Sequence, residues 1–138
     1  MNYTASTTSA QRGARLWRWV FLAAGVVGLA EILPLYFSEV KLGLTDPPAV
    51  THPEFYYGFL GVVVAWQIVF IIISRDPVRY RPLFPAIVLE KLLYPIGAFW
   101  LYGIGRLHGG GMLIGAVIDQ IWLALFTTAW IRTEHDDV

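Results

Sequence analysis

Six polar side chains interrupt runs that are otherwise apolar: Glu31, Gln67, Glu90, Lys91, Asp119 and Gln120. Carboxylates gathered in apolar surroundings suit proton relay or general acid–base work. They equally suit the polar end of a lipophilic ligand. Nearby residues point to a space beside them. Gly28 precedes Glu31 by three residues and Gly115 precedes Asp119 by four, so each acid has a missing side chain on its own helical face. Pro34 and Pro95 cannot bond back four residues, which frees the carbonyls of Ala30 and Lys91 beside an acid. Tyr94 lies four beyond Glu90 and is placed to donate to it.

The elements that hold these residues follow from the composition. Of 138 residues, 57% are hydrophobic and 14% charged, against about 25% charged in a soluble domain. A soluble fold of this size leaves about a third of its surface exposed and would have nowhere to hide that apolar area. The apolar residues fall into four runs, Trp17–Phe37, Phe55–Ile73, Leu83–Gly103 and Met112–Ile131, of 21, 19, 21 and 20 residues. About 20 helical residues cross a bilayer, and backbone groups in lipid are satisfied within a helix. The expectation is an all-α, polytopic membrane protein, a four-helix antiparallel bundle over residues 17–131. Residues 1–16, rich in Ser, Thr and Ala, read as a mobile cytoplasmic tail, and 132–138 as a second tail. The first run is too long for a signal peptide and reads as a retained span.

Charge sets the expected orientation. Arg12, Arg15, Arg18, Arg75, Arg79, Arg81 and Arg132 fall on one side of a four-span chain, and Lys41 and Arg106 on the other. The positive-inside rule then places both termini in the cytoplasm, and the expected membrane is the plasma (inner) membrane. The Asn2-Tyr3-Thr4 sequon falls on the cytoplasmic side and carries no weight. Ten Lys and Arg balance ten Asp and Glu, so there is no basic face for nucleic acid. With no cysteine, thiolate chemistry and Cys-based zinc sites are excluded.

A charge at the centre of a span costs about 2.5–3.5 kcal/mol, so four such residues should face the bundle interior. Counted at 1.5 Å per residue, Glu31 and Asp119 lie about 9–10 Å below the outer ends of the first and fourth spans. They form an outer acidic layer with Gln120, in which Glu31 and Asp119 meet if those spans are neighbours and nothing nearby neutralises them. Gln67, Glu90 and Lys91 form an inner layer. Acid–amide and acid–lysine contacts also hold helices together, at about 0.6–2 kcal/mol each, and Lys91 can simply snorkel. The Gly111-x-x-x-Gly115 pattern reads as close packing. A faint repeat relates Glu31 to Glu90 and Gln67 to Gln120, as two hairpins in the same orientation would.

The connections carry weaker signals. Ser38–Glu54 is long, with Asp46-Pro47-Pro48 and His52-Pro53-Glu54, and a loop of that length tends to be functional. His52 and Glu54 read as a cap at the start of the second span, and with His108 they lack the spacing a metal demands, so no metal is assigned. The stretch Ser74–Pro82 (SRDPVRYRP) sets Arg75, Arg79 and Arg81 around Tyr80. It reads as a positive-inside anchor that can also hold anionic lipid headgroups.

The long loop after the first span, acids within a small bundle, and Gly-Ile-Gly-Arg-Leu at Gly103–Leu107 together resemble the DoxX-like small bacterial four-helix membrane proteins. Many of these have no assigned activity, and some are linked to quinone-coupled sulfur oxidation, so the resemblance implies a quinone as a possible cofactor. The runs His52–Gly61 and Asp76–Pro82 look like the signature of a narrower group. Three functions fit. One is binding of a lipophilic small molecule (quinone, isoprenoid or lipid) in an acidic intramembrane pocket. Another is an accessory or assembly subunit, pairing with itself or a larger membrane complex. The third is a membrane isomerase or proton-coupled carrier. The candidate residues are Glu31, Asp119, Gln120, Glu90, Lys91, Gln67 and Tyr94, with His52 and Glu54 in the outer loop.

Overall fold

A computed structural model describes residues 3–45, 47–108 and 110–133, and for residues 3–12 and 14 the backbone alone. Asn2 of the sequon, Asp46 and residues 134–138 of the expected C-terminal tail lie outside the described residues. Among those described there are helices and no strand. Five α-helices follow one another: α1 Tyr3–Ile32, α2 Glu39–Thr45, α3 Pro53–Ile73, α4 Phe84–Gly103 and α5 Gly111–Thr133. Four stretches are long and apolar enough to cross a membrane: Arg15–Phe37, Pro53–Ile73, Arg81–Gly103 and Gly111–Thr133. The chain is a four-helix multi-pass bundle, and each span lies within about two residues of its expected limits.

Helix ends are set by local chemistry. Pro34 cannot supply an amide to the carbonyl of Ala30, and α1 gives way to a 3₁₀ turn over Leu33–Phe37. That turn is closed when Ser38 donates its amide to the Leu35 carbonyl (3.0 Å) and its hydroxyl to the Pro34 carbonyl (2.9 Å). Pro53 opens α3 at a position where its missing N–H costs nothing. Asp76 ends the turn after α3 by accepting the Arg79 amide at 3.2 Å. At the end of α4, Gly105 takes φ +72°. There the Arg106 amide reaches the Leu101 carbonyl and the Gly105 amide the Tyr102 carbonyl, the paired bonds of a Schellman stop. The Gly103–Leu107 motif therefore has a local structural reason.

Two expectations about the connections change. Residues 3–16, expected to be a mobile tail, form the first turns of α1. Ala5, Ala10, Gln11, Arg12, Ala14 and Arg15 favour helix, and extending an existing helix needs no new nucleus. The loop after the first span contains α2. Its Val40 and Leu44 are exposed, while Tyr57 donates to Glu39 Oε2 at 2.9 Å and Tyr56 to the Leu35 carbonyl at 2.7 Å.

Packing is pairwise. Helix α1 runs along α3 and α4 along α5, giving two hairpins that approach each other chiefly through α1 and α5. The α1–α3 pair is close. A Cβ on Gly25 would stand 2.7 Å from the Gln67 carbonyl oxygen and 2.6 Å from Ile71 Cγ1. Gly25→Ala is therefore expected to cost about 1–3 kcal/mol, since the backbone must shift to admit the methyl. Gly58 on the same pair has open space around it. Gly58→Ala should leave the midpoint unchanged or slightly higher. Thermal unfolding of the two variants checks the contrast, and equal midpoints would refute it.

The hairpins join at the end of the bundle that carries the termini. Each span contributes one phenylalanine there: Phe21, Phe70, Phe84 and Phe126, all at or below 1% exposure. Phe21 stacks on Phe126 at 4.7 Å between centroids and meets Phe84 at 5.3 Å and Phe70 at 6.4 Å. Trp17, Ala24, Ile73, Ile87 and Ala129 complete this core.

Candidate functional site

Toward the α2 end the hairpins part around a cavity of about 700 Å³. Every span presents one continuous face, packed at the terminal end and open at the other. On α1 the face runs Trp17, Phe21 and Ala24 into the core, then Gly28, Glu31 and Leu35 along the cavity. On α3 it runs Ile73 and Phe70, then Gln67, Trp66, Val63 and Phe59. On α5 it runs Ala129 and Phe126, then Trp122, Asp119, Gly115 and Met112. These spacings of three and four are those of a single helical face. Ala24, Trp66 and Trp122 both line the cavity and pack on the core, so they form its floor. Leu42 of α2 contributes at the far end.

The ionisable residues sit on this wall. Lys91 is 5% exposed. Its ammonium donates to Asp119 Oδ1 at 3.0 Å and to Glu90 Oε1 at 3.3 Å, and it lies 5.3 Å above the Phe70 ring. It thus joins three helices: α5 through Asp119, α3 through the aromatic face, and its own α4. Glu90 Oε2 is also within 3.3 Å of the ammonium but accepts no hydrogen bond. Gln67 is buried, and its amide donates to the Val63 carbonyl at 3.2 Å. The side chain occupies the space over Gly28, where a Cβ would overlap its amide.

Three expectations are corrected here. The two polar layers are one, because Lys91 crosses from the expected inner layer to Asp119. Counting residues from span ends ignored the length of the lysine side chain and the inclination of packed helices. Asp119 is accordingly neutralised by Lys91 rather than facing Glu31 unopposed, and Lys91 does not snorkel. Tyr94 sends its hydroxyl proton to the Met112 carbonyl at 2.9 Å instead of to Glu90, tying α4 to α5.

Glu31 lines the cavity and, among the described residues, has no hydrogen bond or ion pair. Gln120 is not among the residues lining the cavity. His52 stands at the N-cap of α3 but makes no side-chain cap; its Nδ1 lies 3.2 Å from Glu54 Oε1, both well exposed. At the terminal end Arg79 lies 5.9 Å over the Tyr80 ring. Arg79 and Arg81 line a separate hollow of about 410 Å³ with Trp130, while Arg75 is exposed on the same turn.

Sequence reasoning left out Trp66, Trp122, Phe59 and Leu42 as wall residues. Trp122 had a signal, lying three beyond Asp119 on one face. Leu42 had none, since α2 itself was read as loop.

Comparison with known protein families, with curated proteins and with solved structures gives no match. Function rests on the geometry of the cavity.

Proposed function

We propose that this chain binds a lipophilic small molecule (a quinone, isoprenoid or lipid) in the cavity between its hairpins. One observation carries the reading: a space of about 700 Å³ whose walls come from all four spans and are mostly apolar, with Glu31, Gln67, Glu90, Lys91 and Asp119 converging on it. Ligand sites are typically about 300–1,000 Å³, apolar, with a few placed polar groups. The DoxX-like resemblance makes a quinone the first neutral ligand to try. We further place both termini in the cytoplasm, following the arginines at the terminal end, so the cavity lies toward the opposite face. Arg75, Arg79 and Arg81 would then meet anionic headgroups of the inner leaflet, at about 1 kcal/mol per charge.

Gly115 lines the cavity, and a Cβ there would meet only Tyr94, at ordinary contact distance of 3.8 Å or more. Gly115→Phe should therefore fill the space and leave the fold intact. Mass spectrometry of wild type extracted in mild detergent is expected to find a retained lipophilic compound that equally folded Gly115→Phe has lost. Equal retention by the two proteins would overturn the proposal.

A further inference from the structure

Taking the cavity as a ligand site, we infer that the lipophile proposed above is narrowed from a neutral quinone or isoprenoid to one carrying a positive charge, a lipophilic amine, quaternary ammonium or similar monocation, with Glu31 as its counter-ion. The charges lining the cavity do not balance. They comprise three carboxylates, Glu31, Glu90 and Asp119, and a single ammonium, Lys91. That ammonium is already committed, held by Asp119 at 3.0 Å and Glu90 at 3.3 Å. Glu31 is left over. It stands in the last turn of α1, just before the 3₁₀ turn Leu33–Phe37 that ends the first span, and has no hydrogen bond or ion pair among the described residues. A carboxylate at membrane depth is normally paired or faces a water-filled or ligand-filled space.

The remaining wall fits the same occupant. Tyr56, Phe59, Trp66, Tyr94 and Trp122 all line the cavity. Aromatic faces attract a desolvated cation through their quadrupole, and tryptophan does so most strongly. An anionic head would meet the uncompensated carboxylate of Glu31 and electron-rich rings. A neutral head would leave Glu31 uncompensated. Charge and ring chemistry, two independent features of the wall, select the same class.

The test uses the full chain in nanodiscs of zwitterionic lipid, with empty discs subtracted. The probes are tetraphenylphosphonium, tetraphenylborate (the same shape with the opposite charge) and decylubiquinone as a neutral lipophile. Saturable binding of tetraphenylphosphonium is expected, with none of tetraphenylborate. Glu31→Gln should weaken the cation at least tenfold, and Glu31→Asp should keep most of the affinity. If decylubiquinone binds in a manner abolished by Gly115→Phe while the cation does not bind, the cavity is a ligand site and the cationic class is wrong. Equal binding of phosphonium and borate, or indifference of the cation to Glu31→Gln, also overturns the class. The comparison of the two tetraphenyl ions needs no variant, so a poorly folding Glu31→Gln protein does not blunt it. Absence of binding by all three probes would overturn both the class and the site.

Discussion

Lys91→Met is expected to lower stability by about 3–5 kcal/mol, the usual cost of breaking a buried ion pair by removing one member. Lys91 is 5% exposed and sits between Glu90 and Asp119. Without its ammonium, two acids from neighbouring helices face each other with no compensating charge. The loss should show as a lower thermal midpoint in mild detergent. Replacing the whole set, Lys91→Met with Glu90→Gln and Asp119→Asn, should recover most of it, because apolar or neutral replacements of a buried pair are often no worse than the pair. Asp119→Asn alone should lower the midpoint less, since Lys91 keeps Glu90. A Lys91→Met protein that melts with wild type would show that this cluster contributes nothing. A triple variant no better than the single one would assign the loss to packing of the lysine stem instead.

Phe21→Ala should cost a similar amount, about 3–5 kcal/mol. Lipid tails are as apolar as side chains, so a span gains little by hiding its surface from water. Association within the bilayer rests on close packing. Phe21 is fully buried and touches the phenylalanines of the other three spans. Truncating it removes the ring that meets all three others across the hairpins, with roughly 0.5–1.5 kcal/mol for each aromatic pair, and leaves Phe70 on Phe126 as the remaining ring contact among these four phenylalanines. Phe21→Leu should retain over half of the lost stability, as it leaves a smaller void. Thermal midpoints of the two variants decide it. A Phe21→Ala midpoint at the wild-type value would mean that the hairpins are held together by other contacts, such as Phe70 on Phe126.

The spans were legible because length and apolarity alone identify a membrane helix, and Pro53, Pro34 and Gly105 mark their ends chemically. Helix α2 was not, since seven residues containing Gly43 are too short for a periodic stripe to declare itself, although Ser38 and Glu39 supply a start signal. The same holds for the helical start at Tyr3, where no apolar face announces a helix and continuity from the span decides. At the cavity, Gly28 and Gly115 were visible as missing side chains beside acids, and both line it. The partner of Asp119 was not visible. Lys91 and Asp119 are 28 residues apart, and residue counts along separate helices cannot say how far each helix leans. Glu31 and Asp119 looked equivalent in the sequence; in the structure one is paired and the other is not. The phenylalanine quartet escaped notice for a related reason. Its members are unremarkable within their own spans and become a unit only when four helices are brought together.

The quartet also bears on exchange. Four interlocked rings make the space between the hairpins a cul-de-sac, with its blind end at the terminal side. Any molecule that enters finds the terminal side shut, so it cannot leave past the rings. A concentration difference across the bilayer would exert no net pull on it. A sustained flow would need all four rings to part at once, and that would also dismantle the contact joining the hairpins. Such an architecture suits holding, presenting or sensing a molecule, and it weighs against a carrier that moves its cargo through to the terminal side.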